Sequence, residues 1–270
     1  MPPAPPSPFA VHIPNVTVGM PFLRRGKPAE MFAALRAKII KEAGFDFLSV
    51  FGDMMRGKNF HTNKPGASNK SRHMCGDAFD YNQGEARAVV IQEPRGPNMY
   101  FRSYLRCAKQ DGTQGKKLAL PAATSPAKFY VDFTMIAEAL GWHRIRAQSG
   151  WQQTPTKREH WHYQYTEGYS FDEAMALLYG NHDAVPVQPE YPAVARGARD
   201  DEAVFHVRRD VRQVQAQLYL LNHLQSIKDV DGGFGQQTED AVKAFQQQAG
   251  LPVTGIADTT TRKALLQQVL

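Results

Sequence analysis

Apolar positions recur at helical spacing over residues 29–43, AEMFAALRAKIIKEA, where Phe32, Leu35 and Ile39 share a face and Gly44 stands where a helix would stop. FDFLSVFG (45–52) reads as a strand. A long polar loop, 57–71, follows it. Residues 86–93 and 99–108 fit strand or helix equally well. The spacing predicts the clearest helix over 125–142, with Ser125 as cap, Pro126 in the first turn, and Phe129, Phe133, Ile136 and Leu140 as its buried stripe. Residues 170–180 form another, with Ser170 and Glu173 at capping-box spacing. From 181 to 204 the apolar period disappears and three prolines enter, which predicts a linker.

Beyond it, 205–270 reads as a separate unit. VRQVQAQLYLLNHL (211–224) is a helix, and two later segments echo each other. Gly232, Thr238 and Ala241 align with Gly255, Thr261 and Ala264, each pair offset by 23 residues. Two turn–helix copies packing Val242, Phe245, Leu251 and Leu265 together predict a small three-helix core.

The chain of 270 residues, 42% hydrophobic, is long enough for two modest domains and too apolar for wholesale disorder. Stable membrane insertion is not expected, since no apolar run approaches the ~20 residues a spanning helix needs. The N-terminus, MPPAPPSPFAVHIP, has neither the basic start nor the apolar stretch of a secretory signal, and its prolines predict an extended arm over 1–27. Two cysteines, Cys75 and Cys107, are too few for a disulfide framework. A net charge of +6 suits anionic surroundings such as nucleic acid, anionic lipid or a bacterial wall. Because no Lys/Arg run exceeds two residues, nucleic acid is not the expected partner.

Two stretches carry candidate chemistry. SRHMCGDAFDYN (71–82) offers His73, Cys75, Asp77 and Asp80, and REHWHYQY (158–165) offers Glu159, His160 and His162. A catalytic zinc takes three His or carboxylate ligands and leaves one position open, with a further carboxylate to move protons. The two stretches can supply that set. If 159–165 is a plain strand, His160 and His162 share a face and Glu159 points away; if the chain bends at its start, Glu159 and His162 converge. Cys75 is expected to be a small buried side chain.

Both stretches resemble the motifs of a zinc peptidase family. S-R-H-M-C-G-D-A-F-D matches S-x-H-x-x-G-x-A-x-D, E-H-W-H matches E-x-W-H, and GWHRI (141–145) suits the segment before it. That family comprises D-Ala-D-Ala carboxypeptidases and dipeptidases and L-Ala-D-Glu endopeptidases, and shares the Hedgehog-like fold. The resemblance implies an α+β catalytic domain over 28–180, with His73, Asp80 and His162 as zinc ligands and Glu159 as general base. His160 falls at the variable position. Arg56 in FGDMMRG fits in order as the group that steadies an oxyanion, but equally as a solvated loop arginine. The loop from 57 to 70 is long for the family.

Residues 205–270 resemble the three-helix peptidoglycan-binding domain of bacterial and phage wall hydrolases, through D-G-G-F-G, T-E-D-A-V-K-A-F-Q and G-L-P-V-T-G-I-A-D-T-T-T. Together the resemblances imply a monomeric, endolysin-like zinc enzyme that cuts the stem peptides of bacterial peptidoglycan. It would act outside the cytoplasm and arrive by phage lysis or a secretion machine. The rivals are a wall-binding protein without catalysis, an amidase and a glycan hydrolase. The last needs paired carboxylates and no metal, so chelators discriminate it.

Overall fold

The computed structural model describes residues 4–61, 69–120, 127–180, 183, 185–201 and 208–270. The architecture is α+β, with a helical unit at the C-terminus. Ten strands in three sheets and three helices make up the N-terminal part among the described residues. β1 (Ala10–His12) and β2 (Phe22–Arg24) form a hairpin ahead of α1 (Lys27–Ala43). A 3-10 turn at Phe47–Ser49 leads into β3 (Phe51–Asp53). A second turn, Arg72–Cys75, precedes β4 (Ala78–Tyr81).

The second sheet is built from β5 (Ala88–Arg95), β6 (Asn98–Arg106), β7 (Lys116–Leu118) and β8 (Lys128–Asp132), in the order β5-β6-β8-β7. Then follow α2 (Phe133–Ala139), β9 (His143–Arg144), β10 (His162–Gln164) and α3 (Phe171–Tyr179). The sheet that matters for the site runs β3-β4-β10-β9, antiparallel throughout. Its inner face and α1 enclose an aromatic core in which Phe79 stacks on Tyr163 and Phe32 meets Phe51, Phe79 and Trp142 edge-on or tilted.

α1 covers the predicted amphipathic stretch and ends at Gly44 in the left-handed conformation, and α3 carries the reciprocal Ser170–Glu173 cap. Other expectations give way. Within 125–142 only Phe133–Ala139 is helix, and Lys128–Asp132 is strand β8, paired to both β6 and β7. Asp132, read as mid-helix, is the real cap, its carboxylate accepting from Met135 N. Ser125 and Pro126 lie outside the described residues. In 45–52 the Ser49 hydroxyl donates to Asp46 O, closing a local turn and confining the strand to Phe51–Asp53. The two undecided stretches are the β5–β6 hairpin.

The predicted N-terminal arm is folded back from Ala10 onward. Phe22 and Leu23 are buried, and Arg24 N donates to Gly76 O at 2.6 Å. The stretch read as a linker is likewise tied down in its described part. Val194 bridges Ala257, Arg199 bridges Gly233, and the Asp200 carboxylate accepts from Val211 N and Arg212 N. Backbone pairing of this kind leaves no side-chain period for a sequence to display.

The C-terminal unit comprises α4 (Asp210–Leu220), α5 (Gln236–Gln248) and α6 (Thr259–Val269) around Val214, Leu218, Val242, Phe245 and Leu265. Its internal echo has a chemical basis. Buried Gln215 accepts from Gly232 N and donates to Thr238 Oγ1; buried Gln246 accepts from Gly255 N and donates to Thr261 Oγ1. Both glycines have positive φ, 82° and 74°. The unit packs on the rest of the chain through α2 and α4, where Gln217 donates to Ala139 O at 2.9 Å. Ala216, Leu266 and Val269 share one buried cluster with the core residues of α1 and β4.

Gly76 closes the turn that carries His73. It sits at φ 67°, and a Cβ there would come within 2.8 Å of Arg24 N. Gly76→Ala is therefore expected to cost about 1–3 kcal/mol of stability in denaturant unfolding, whereas Gly19→Ala, with open space around it, should leave stability nearly unchanged. Equal midpoints for the two variants would refute this account of the turn.

Candidate metal centre

β4 and β10 pair with Asp80 directly opposite His162, so register alone brings these side chains together. His73 comes from the turn Arg72–Cys75, which Gly76 closes by donating its N–H to Arg72 O and His73 O. Three donor atoms converge. His73 Nε2 lies 3.1 Å from Asp80 Oδ1 and 3.2 Å from His162 Nδ1, and His162 Nδ1 lies 2.9 Å from Asp80 Oδ1.

The far sides of both rings define what faces inward. His73 Nδ1 lies 2.6 Å from Met54 O, and a carbonyl only accepts, so Nδ1 carries the hydrogen. His162 Nε2 lies 3.3 Å from Gln164 Oε1 and donates to it. In the neutral rings, Nε2 of His73 and Nδ1 of His162 therefore present lone pairs to each other and to a carboxylate oxygen. Three acceptors this close repel unless a cation joins them. Zinc with bonds of about 2.0–2.1 Å at tetrahedral angles would set its donors roughly 3.3 Å apart, close to the spacings here. Two imidazoles and a carboxylate, each ring backed by an acceptor, fit that metal.

The electrostatics point the same way. Burial opposes charge on His73, yet Asp80 outweighs it and raises the imidazole above its usual value. Burial also works against the Asp80 carboxylate, but His73 and His162 hold it well below the usual range.

Glu159 precedes β10 at φ 55°, left-handed backbone that a non-glycine residue seldom adopts. His162 N donates to Glu159 O across this bend, so of the two geometries open from the sequence the chain takes the bent one. Burial, and then Asp80, push the Glu159 carboxyl up, against His162 and a hydrogen bond from Gln148 Nε2. His160 faces elsewhere, into the rings of Tyr81, Phe101 and Trp161. Burial draws its imidazole down to about 4. Cys75 is buried with its thiol toward Phe171 O, and burial raises it well above its usual value. Asp77 is fully buried, held by Arg72 at 3.0 Å. Arg56 backs the site: its N–H donates to His73 O, and its guanidinium is anchored by Asp53 at 2.6 Å and Ser71 at 3.2 Å, over the Phe60 ring.

Sequence reasoning missed Met54, Gln148, Gln164 and His143. A backbone carbonyl leaves no trace in a sequence. Gln164 does, standing two residues beyond His162 on the same strand face.

Residues 207–265 match the family described as putative peptidoglycan binding domain. Among solved structures, the SleB N-terminal domain is 30% identical over 30% of this chain and 96% of its own, with a TM-score of 0.25. No curated protein matches the chain. The C-terminal match supports peptidoglycan as a partner and an association with the cell wall. No helix among the described residues is long and apolar enough to cross a membrane.

Metal-depleted protein titrated with zinc should bind one ion per chain. Asp80→Asn should weaken binding by more than the ~100-fold that loss of an outer partner can cost, and Cys75→Ser should leave it unchanged. Undiminished affinity in Asp80→Asn would remove Asp80 from the ligand set.

Proposed function

We propose that the chain is a zinc-dependent peptidase of bacterial peptidoglycan, an endolysin-like endopeptidase or D,D-carboxypeptidase held on its substrate by the C-terminal domain. The observation that carries this reading is the convergence of His73 Nε2, Asp80 Oδ1 and His162 Nδ1 beside the carboxyl of Glu159, in a chain that ends in a peptidoglycan-binding match. The Hedgehog-like peptidase fold expected from the two motifs belongs to the same reading.

His73, Asp80 and His162 would hold the zinc. When bound, zinc polarises a substrate carbonyl and lowers the pKa of water toward neutrality. Glu159 takes the proton of the attacking water and returns it to the leaving amine. Burial and the neighbouring Asp80 raise its pKa above the usual carboxylate value, which helps it hold the proton it takes. The bend at Glu159 keeps it out of the donor set while holding it alongside. Gln148 fixes the carboxyl by donating to Oε1. Arg56, immobilised by Asp53 and Ser71, supplies positive charge beside His73 for the developing oxyanion. The wall-binding domain raises the local concentration of scissile bonds, so modest affinity for any one fragment suffices.

Digestion of purified sacculi tests this directly. The full-length protein should release fragments with new peptide amino and carboxyl ends and an intact glycan, and a chelator should abolish the release. Glu159→Ala should keep its zinc and slow turnover by ~100-fold or more, the scale of a lost general base. New sugar reducing ends, or stem peptides freed whole from muramic acid, would overturn the reading in favour of a glycosidase or an amidase.

A further inference from the structure

Gln164 and His143 stand behind the metal centre in a buried chain of hydrogen bonds. Gln164 Oε1 lies 3.3 Å from His162 Nε2, and Gln164 Nε2 lies 3.2 Å from His143 Nε2. His143 sits on β9 directly opposite Gln164 on β10, and both side chains are nearly inaccessible. We propose that Gln164 and His143 are positioning residues: His143 fixes which way round the Gln164 amide sits, and the amide fixes which nitrogen of His162 carries the hydrogen. The proposal rests on the metal reading given above.

An amide has a donor end and an acceptor end. Oriented as in this structure, its acceptor end takes the Nε2–H of His162, and the Nδ1 lone pair faces Asp80 and His73. Rotated by half a turn, the amide would offer N–H to His162 Nε2. That nitrogen would then have to accept, and the hydrogen would move to Nδ1, in the middle of the donor triangle. Such a His162 can donate to Asp80 but cannot bind a metal. The two orientations have nearly the same shape, so packing does not choose between them. His143 favours the observed one, because its Nε2 accepts from the NH2 end of Gln164 there, whereas a turned amide would require the ring to shift its hydrogen to Nε2. Burial, then Arg209 and Arg72, disfavour a charged His143, so the neutral ring keeps one nitrogen to accept a hydrogen bond.

A cavity of about 50 Å³ is lined by His143 and by Arg209, Arg212 and Gln213 of the C-terminal unit. The chain from His162 through Gln164 to His143 therefore reaches a cavity that residues of both units line.

Competition for zinc against a chromophoric chelator, on the full-length protein, tests the proposal without measuring turnover. Gln164→Met keeps the length and removes the acceptor, and it should weaken zinc binding ~10–100-fold, the range for an outer partner of a ligating His. Gln164→Glu presents an acceptor at either end, needs no orienting, and should stay within ~10-fold of wild type. His143→Leu should weaken zinc binding in the Gln164 background and have little effect beside Gln164→Glu. Circular dichroism of the metal-free variants monitors folding separately. Unchanged affinity in Gln164→Met, or an equal loss from His143→Leu in both backgrounds, would overturn the proposal and leave the pair as ordinary packing. A wild-type protein that takes no zinc overturns the metal reading itself, and this proposal with it.

Discussion

Three acceptor atoms stand within about 3 Å of one another in a site that is almost dry: two imidazole nitrogens and a carboxylate oxygen. In a low-dielectric interior, leaving such lone pairs uncompensated costs several kcal/mol. A bound cation would relieve that repulsion, and this is the part the proposed zinc plays. Met54 O and Gln164 Oε1 occupy the outer nitrogens, which denies each ring the tautomer that would fill the triangle with a proton. The proposed chemistry depends on this one constraint.

The fold meets it with short elements. β10 is only three residues long, yet its register against β4 sets Asp80 opposite His162, and its two-residue period sets Gln164 behind His162. His73 arrives on a turn that needs a left-handed residue to close and a neighbour close enough to touch it. Gly76 and the β1–β2 hairpin supply these. Beneath the turn, Arg72, Asp77 and Arg24 form a buried ionic group linked onward to Glu167, where the chain turns after β10. Removing one partner from such a group leaves a buried charge without compensation, at about 3–5 kcal/mol. Both ends of the donor set are thus tied to one scaffold.

What the sequence made legible follows from local physics. α1 and α3 were readable because amphipathic spacing and capping act within a few residues. The residues the two motifs name, His73, Asp80 and His162, are those the structure brings together, and Glu159 lies at a bend that a strand pattern alone left open. β8 was not legible, because Phe129 falls four residues before Phe133 and joined a helical stripe that really begins at Phe133. The pairing of Val194 and Arg199 with the C-terminal unit was hidden for another reason: main-chain hydrogen bonds impose no pattern on side chains. The glutamines of the internal echo sat in plain view. Gln215 and Gln246 explain why a glycine and a threonine recur together in each copy, but only their contacts reveal it.

X-ray absorption at the zinc edge, on the full-length protein loaded with one equivalent of zinc, addresses the central claim most directly. It should show a first shell of nitrogen and oxygen at about 2.0–2.1 Å, with the multiple scattering of two imidazoles and no sulfur. A sulfur shell near ~2.3 Å, or the signature of a single imidazole, would contradict the donor set of His73, Asp80 and His162.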